Sequence, residues 1–232
     1  MRRSLPLAAL VLALGWSAPA AASPLNPWGA HVGKGVFALT PFVFVDQTPG
    51  VYPLLYGQYG VSDKFEILGG VGATVVPGFS FDSIELMPRY FFSESSGIAL
   101  HATWLPGDDG LTLAPEYHGI YSLGPIELTT NVGWAPYVGG SGFSAGSAYA
   151  LIAPEWYFTE ASSLFLEVNP EVDLVDYGGA PVDRFYLEVV PGVSTSVAET
   201  HYFAVGVGIP ITGFDPTYIY AGAWYSIAFG GE

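Results

Sequence analysis

From Ser162 to Leu174 the chain reads SSLFLEVNPEVDL, and its two parities differ in character. Phe165, Glu167, Asn169, Glu171 and Asp173 fall on one, and Leu164, Leu166, Val168, Pro170, Val172 and Leu174 fall on the other. Side chains alternate across a β-strand, so this segment is a strand with one wholly apolar face. Two-faced runs recur at 35–46, 51–61, 64–76, 81–93, 97–106, 111–122, 125–138, 147–159, 162–174, 183–196, 200–212 and 216–229, with almost no Lys or Arg on their apolar faces. A soluble barrel would need charge on its outer face, and the chain has too little of it. Twelve antiparallel strands closed into an up-and-down transmembrane β-barrel satisfy both the apolar exterior and the backbone hydrogen bonds.

The first residues, MRRSLPLAALVLALGWSAPAAASP, combine Arg2 and Arg3, an apolar run from Leu5 to Trp16, and small residues at Ala20 and Ala22. They read as a signal peptide over 1–22, which leaves 23–232 as one barrel domain in the outer membrane of a Gram-negative cell. Its removal takes two of six basic residues and leaves four against 21 acids, a charge that excludes nucleic acid as a partner. There is no cysteine, so no disulfide framework or thiolate chemistry is available. Beyond the leader no apolar run reaches the length of a helical span, yet half the residues are hydrophobic and 16% aromatic.

The connections follow the same logic. Tight turns are expected at Ser62–Lys64, Ser93–Ser96, Leu123–Gly124, Glu160–Ala161 and Ala198–Glu199, and longer outer loops at Gly139–Gly146 and Val175–Val182. Phe65, Phe92, Tyr121, Phe158, Phe203 and Phe229 sit on the apolar parity near the tight-turn ends and read as one interfacial girdle. A weak repeat, LMPRYFF, LAPEYHG, IAPEWYF and VVPGVST, puts Pro88, Pro115, Pro154 and Pro191 on the apolar parity of four strands. Proline cannot donate to a ladder, so local bulges are expected there.

The last strand, TYIYAGAWYSIAF, places Tyr225, Ile227 and Phe229 on one face after Gly222. It resembles the terminal assembly signal of bacterial outer-membrane barrels, although Gly230–Glu232 follow the final aromatic. The stretch YGQYGVSDKFEILGGVG, from Tyr56 to Gly72, is similar to a strand–turn–strand of the phenol-degradation-type outer-membrane transporters. These resemblances imply a porin-like barrel whose partners are outer-membrane lipid, the barrel-insertion machinery and small solutes. They do not specify a solute or an oligomeric state.

Charge then falls on the lumen. Glu66, Glu85, Glu116, Glu127, Glu155, Glu167, Glu171, Asp173 and Glu188 share the inward parity, opposed only by Arg89 and Arg184. Symmetric hairpins with no shear put Arg89, His101, Glu116, Asn131, Glu155, Glu167 and Glu188 in one belt, with Arg89 and His101 facing the acids. Arg184 with Asp173 reads as a structural pair nearer the outer rim. His101 and His118 flank Glu116, a spacing that ordinary hydrogen bonding explains better than a metal site. No G-x-S-x-G occurs, Ser83, Ser194 and Ser196 have no assignable histidine, and the runs GGVG and GVGIP open no helix. No cofactor or catalytic residue is assigned.

The expected activity is selection without turnover: passive passage of small hydrophilic or cationic solutes through an acidic lumen. Three alternatives stay open: an enzyme acting on outer-membrane lipid, a barrel plugged by Arg89 and its neighbouring acids with a structural or adhesive role, and a soluble ligand-binding barrel.

Overall fold

A computed structural model describes residues 31–232 apart from 48–49, 107–109, 140–141, 175–184, 199, 213–218 and 231–232. The expected leader, the 175–182 loop and Arg184 lie outside the described residues. The strands are β1 (Phe37–Asp46), β2 (Val51–Ser62), β3 (Phe65–Thr74), β4 (Ser80–Phe91), β5 (Ser96–Leu105) and β6 (Gly110–Leu123). They continue as β7 (Ile126–Gly139), β8 (Gly142–Tyr157), β9 (Ser162–Asp173), β10 (Phe185–Ala198), β11 (His201–Thr212) and β12 (Tyr220–Phe229). Each pairs antiparallel with its sequence neighbours, and β1 closes on β12 from Phe37↔Phe229 to Asp46↔Tyr220, giving a closed twelve-stranded barrel.

Period-2 alternation turns directly into two surfaces. Among the paired strand residues, no Asp, Glu, Lys or Arg stands on the outward parity. Leu86, Ile98, Leu100, Val132, Ile152, Leu164 and Leu166 are exposed there, as a lipid-facing wall requires. His201, on the outward parity at the tight-turn end, is tied to the Tyr225 hydroxyl. Phe92, Phe158 and Phe229 are half exposed in the same zone, with Phe37 stacked on Phe229 at 6.5 Å. The start of β1, the end of β12 and the tight turns share this side. By the usual asymmetry of outer-membrane barrels it is the periplasmic one.

The tight turns at 93–96, 123–124 and 160–161 close as expected. Phe92 and Ser93 N–H both donate to Ser96 O, Phe158 and Thr159 N–H to Ser162 O, and Gly124 takes φ 69°, a left-handed value that suits glycine. Two expectations are corrected. The segment 139–146 is not a long loop: Gly139 pairs with Gly142, so β7 and β8 run on as one extended hairpin. A register shift between Ala135 and Tyr137, and positive φ at Gly142 and Gly146, let it bend. The four prolines also carry no bulges. Against β5, β4 stays in step from Leu86↔Ala102 to Arg89↔Ala99, with Met87 and Pro88 simply unpaired. The same in-register gap falls at Pro115 against β7, Pro154 against β9 and Pro191 against β11. A proline removes one donor on one side of its strand without adding a residue, so the ladder loses a rung and keeps its register.

The apolar wall and closed ladder predict a heat-modifiable membrane protein. Carbonate-washed membranes should retain it, and unboiled samples in detergent gels should migrate differently from boiled ones. Recovery in the soluble fraction with a single mobility would contradict the architecture.

Candidate functional site

The barrel interior is built from the inward parity of every strand, and all nine carboxylates assigned to it from the sequence stand there. Their surroundings divide the lumen into three regions.

The first is a knot at the periplasmic end. Arg89 of β4 lies directly across from Glu66 of β3, and both are fully buried. The guanidinium binds Glu66 Oε1 through Nε and Nη2, and the other oxygen, Oε2, accepts from Gln58 Nε2 at 3.1 Å and Val32 N at 3.2 Å. Arg89 also packs over the Phe91 ring at 5.0 Å, whose other contact is the edge of His31. The residues before β1 thus enter the periplasmic mouth and help to satisfy a buried carboxylate.

The second is a collar around the barrel. Phe165 of β9 packs on Trp224 of β12, Trp224 stacks on Phe42 of β1, and Phe42 meets Tyr56 of β2 edge-on at 5.4 Å. Tyr56 OH donates to Glu85 of β4 at 2.9 Å, and His101 of β5 joins Glu85 at 3.1 Å to Glu116 of β6 at 3.2 Å. Tyr149 of β8 then donates to Glu116. Neighbouring glycines make the two tyrosines fit. A Cβ at Gly70 would stand 2.2 Å from the Tyr56 ring, and one at Gly133 would stand 2.5 Å from the Tyr149 ring. Half of the collar is therefore apolar and half is a hydrogen-bonded acid chain.

The third is a cavity of about 510 Å³ toward the outer loops. Its walls include His101, Glu116, Asn131, Glu167, Asn169, Glu171 and Glu188. Asn169 Nδ2 bridges Glu167 at 2.9 Å and Glu188 at 3.3 Å, and Tyr220 OH holds Glu188 at 2.8 Å. His101 is the only basic side chain on this wall among the described residues.

The seven residues assigned to one belt are therefore not at one height. His101, Glu116, Asn131, Glu167 and Glu188 line the cavity. Arg89 is in the knot, compensated by Glu66, and does not face an acidic wall as a bare cation. Glu155 lies opposite Glu127 near the turns, where Ser163 and Ser194 hydroxyls donate to it. Hairpin register is the reason: Arg89 meets Ala99 rather than His101, Glu116 meets Gly133 rather than Asn131, and Asn131 meets Leu151 rather than Glu155. Glu116 does sit between two histidines, with His118 Nε2 at 2.9 Å, yet no group of three His, Asp or Glu among the described residues could hold a metal. Ser83 and Ser194 donate to Glu85 and Glu155, and Asp173 accepts from Tyr186 OH at 2.9 Å.

The collar aromatics escaped the sequence reading because they occupy the polar parity. Their signal is that β1 and β12 carry large apolar residues on both faces: Phe42 and Phe44 inside with Val43 and Val45 outside, and Trp224 inside with Tyr225 outside.

No protein-family model and no curated protein matches the chain. Its fold is similar to that of the NanC porin (TM-score 0.61, 6% identity, 82% of this chain and 98% of that one). It is also similar to the KdgM porin (TM-score 0.58, 12% identity, 83% and 99%) and to a KdgM porin in complex with disordered oligogalacturonate (TM-score 0.60, 10% identity, 83% and 99%). The chain thus has the fold of a porin-like bacterial outer-membrane β-barrel.

Removing one partner of a buried ion pair leaves the other uncompensated, so Arg89→Ala should destabilise the barrel by about 3–5 kcal/mol. Replacing the pair together, Glu66→Gln with Arg89→Met, should recover most of that loss. Urea unfolding in detergent, followed by tryptophan fluorescence, measures both. Equal losses in the single and double variants would show that the pair is not coupled.

Proposed function

We propose that this barrel is an outer-membrane channel for small hydrophilic solutes and favours cations over anions. In this reading the leader exports the chain, the barrel-insertion machinery reads the β12 aromatics, and outer-membrane lipid is the structural partner. The observation that carries it is the make-up of the cavity wall: Glu116, Glu167, Glu171 and Glu188, with His101 as the only basic group among the described residues. Carboxylates lining a low-dielectric passage raise the local concentration of cations and repel anions. The KdgM porin has been solved with oligogalacturonate, a carboxylated oligosaccharide. Such a polymer would meet like charge here, which supports a solute class of the opposite sign.

A specific observation also favours a second reading, a barrel closed at rest. Arg89, Glu66, Leu68, Met87, Phe42 and Trp224 are almost wholly buried, so side chains fill much of the lumen below the cavity. The two readings differ in whether the collar leaves a path.

Planar-bilayer recording in a salt gradient separates them. The channel reading expects a cation-selective reversal potential that weakens as salt rises, because the Debye length shrinks from about 10 Å at 0.1 M to about 3 Å at 1 M. Glu167→Gln should lower the cation preference at low salt and change conductance little at high salt. Trp224→Ala, which removes the largest collar ring, should raise conductance severalfold. A silent parent with a conducting Trp224→Ala variant would establish the closed barrel, and anion selectivity would overturn the channel assignment as stated.

A further inference from the structure

Two amide oxygens on the cavity wall, at Asn131 and Asn169, have no donor. Both Nδ2 hydrogens of Asn169 point at carboxylates, and its Oδ1 has no hydrogen-bond partner. The Glu171 carboxylate lines the same wall without a side-chain hydrogen bond or salt bridge to a described residue. Across from them, Asn131 is 2% exposed and lines the cavity, and its Oδ1 also has no partner. Leaving a buried amide oxygen unpaired costs about 1–3 kcal/mol. A ligand with N–H donors would satisfy it.

We propose that the outer cavity, bounded by Asn131 and Glu116 on one side and Glu167, Asn169, Glu171 and Glu188 on the other, binds a small organic cation with an ammonium group at each end. This rests on the acidic-lumen reading above and narrows it to a ligand class. Volume and spacing fix the class. About 510 Å³ falls within the range of roughly 300–1,000 Å³ typical of small-molecule sites. A bare metal ion needs oxygens converging on one point, and the described carboxylates do not converge. Glu116 on β6 stands three strands from Glu167 and Glu171 on β9. At about 4.8 Å per strand that is an arc of roughly 14 Å at the backbone, shortened as the side chains project inward. A four-carbon diamine reaches about 12 Å from acceptor to acceptor, counting one hydrogen bond at each end. Ala114, Ala135 and Leu151, which lie on the wall between, would pack against its methylenes.

Calorimetric titration of the full chain in detergent tests this with 1,4-diaminobutane, 1-aminobutane, pentanedioate and calcium chloride as probes. The diamine should bind at least tenfold more tightly than the monoamine, and pentanedioate should not bind. Asn131→Leu and Glu171→Gln should each weaken the diamine tenfold or more. Glu160→Gln, the same charge change in an exposed turn, should leave it unaltered. Folding of each variant is checked by its gel mobility, and Asn131→Asp, expected to tighten the diamine, serves if Asn131→Leu does not fold. Equal binding of monoamine and diamine, indifference to the Asn131 and Glu171 changes, or displacement of the diamine by stoichiometric calcium would each overturn the proposal. The bilayer experiment keeps the two readings apart. A conducting barrel that does not bind the diamine sinks this site alone, and a silent barrel that binds it sinks the channel alone.

Discussion

A backbone crossing lipid has nowhere to place an unpaired N–H or C=O, and the closure of β1 on β12 answers that constraint. Once the ladder is closed, each strand has one face toward hydrocarbon and one toward the interior. Among the paired strand residues the outward face carries no Asp, Glu, Lys or Arg, so the acids paired within the strands point inward. The character of the lumen follows from what the exterior cannot accept.

Buried carboxylates then need partners, and the interior can be read as a set of ways to supply them. Glu66 takes a guanidinium, an amide and a backbone N–H; Glu116 takes the His101 imidazole and a phenol, with His118 Nε2 at 2.9 Å; Glu155 takes two serine hydroxyls. With so few basic residues, most of the compensation is by neutral donors. Tyrosine serves this well, since its ring fills space and its hydroxyl reaches a carboxylate two strands away, as Tyr56 does to Glu85 and Tyr149 to Glu116. In the cavity two amide oxygens, of Asn131 and Asn169, are left without a donor.

Strand number, face and end assignments were legible in the sequence because lipid enforces a strict two-residue period. Side-chain neighbours were less so. Alternation fixes the face a residue takes but not the residue it meets: an offset of two residues in the β4/β5 register and of four in the β7/β8 register moved Arg89 and Glu155 out of the expected belt. Arg89 found Glu66 across β3 and β4, two strands whose outer connection carries no tight-turn signal to set their register. The collar stayed hidden for a different reason: Phe42, Phe165 and Trp224 are apolar residues on the hydrated parity, and alternation alone treats them as exceptions.

The missing rungs lie in a regular place. Pro88, Pro115, Pro154 and Pro191 interrupt β4/β5, β6/β7, β8/β9 and β10/β11, each a pair joined on the periplasmic side, and Pro41 coincides with a like gap between β1 and β12. Strands joined through the outer side, such as β3/β4 and β5/β6, keep continuous pairing across the level of Pro88 and Pro115. Apart from β2/β3, which pairs without such a gap, stiffness therefore alternates around the circumference, with firm staves joined along softer lines. A cylinder made this way flexes by hinging at those lines, so a squeeze from the bilayer would change the shape of its cross-section before it changed the length of its perimeter.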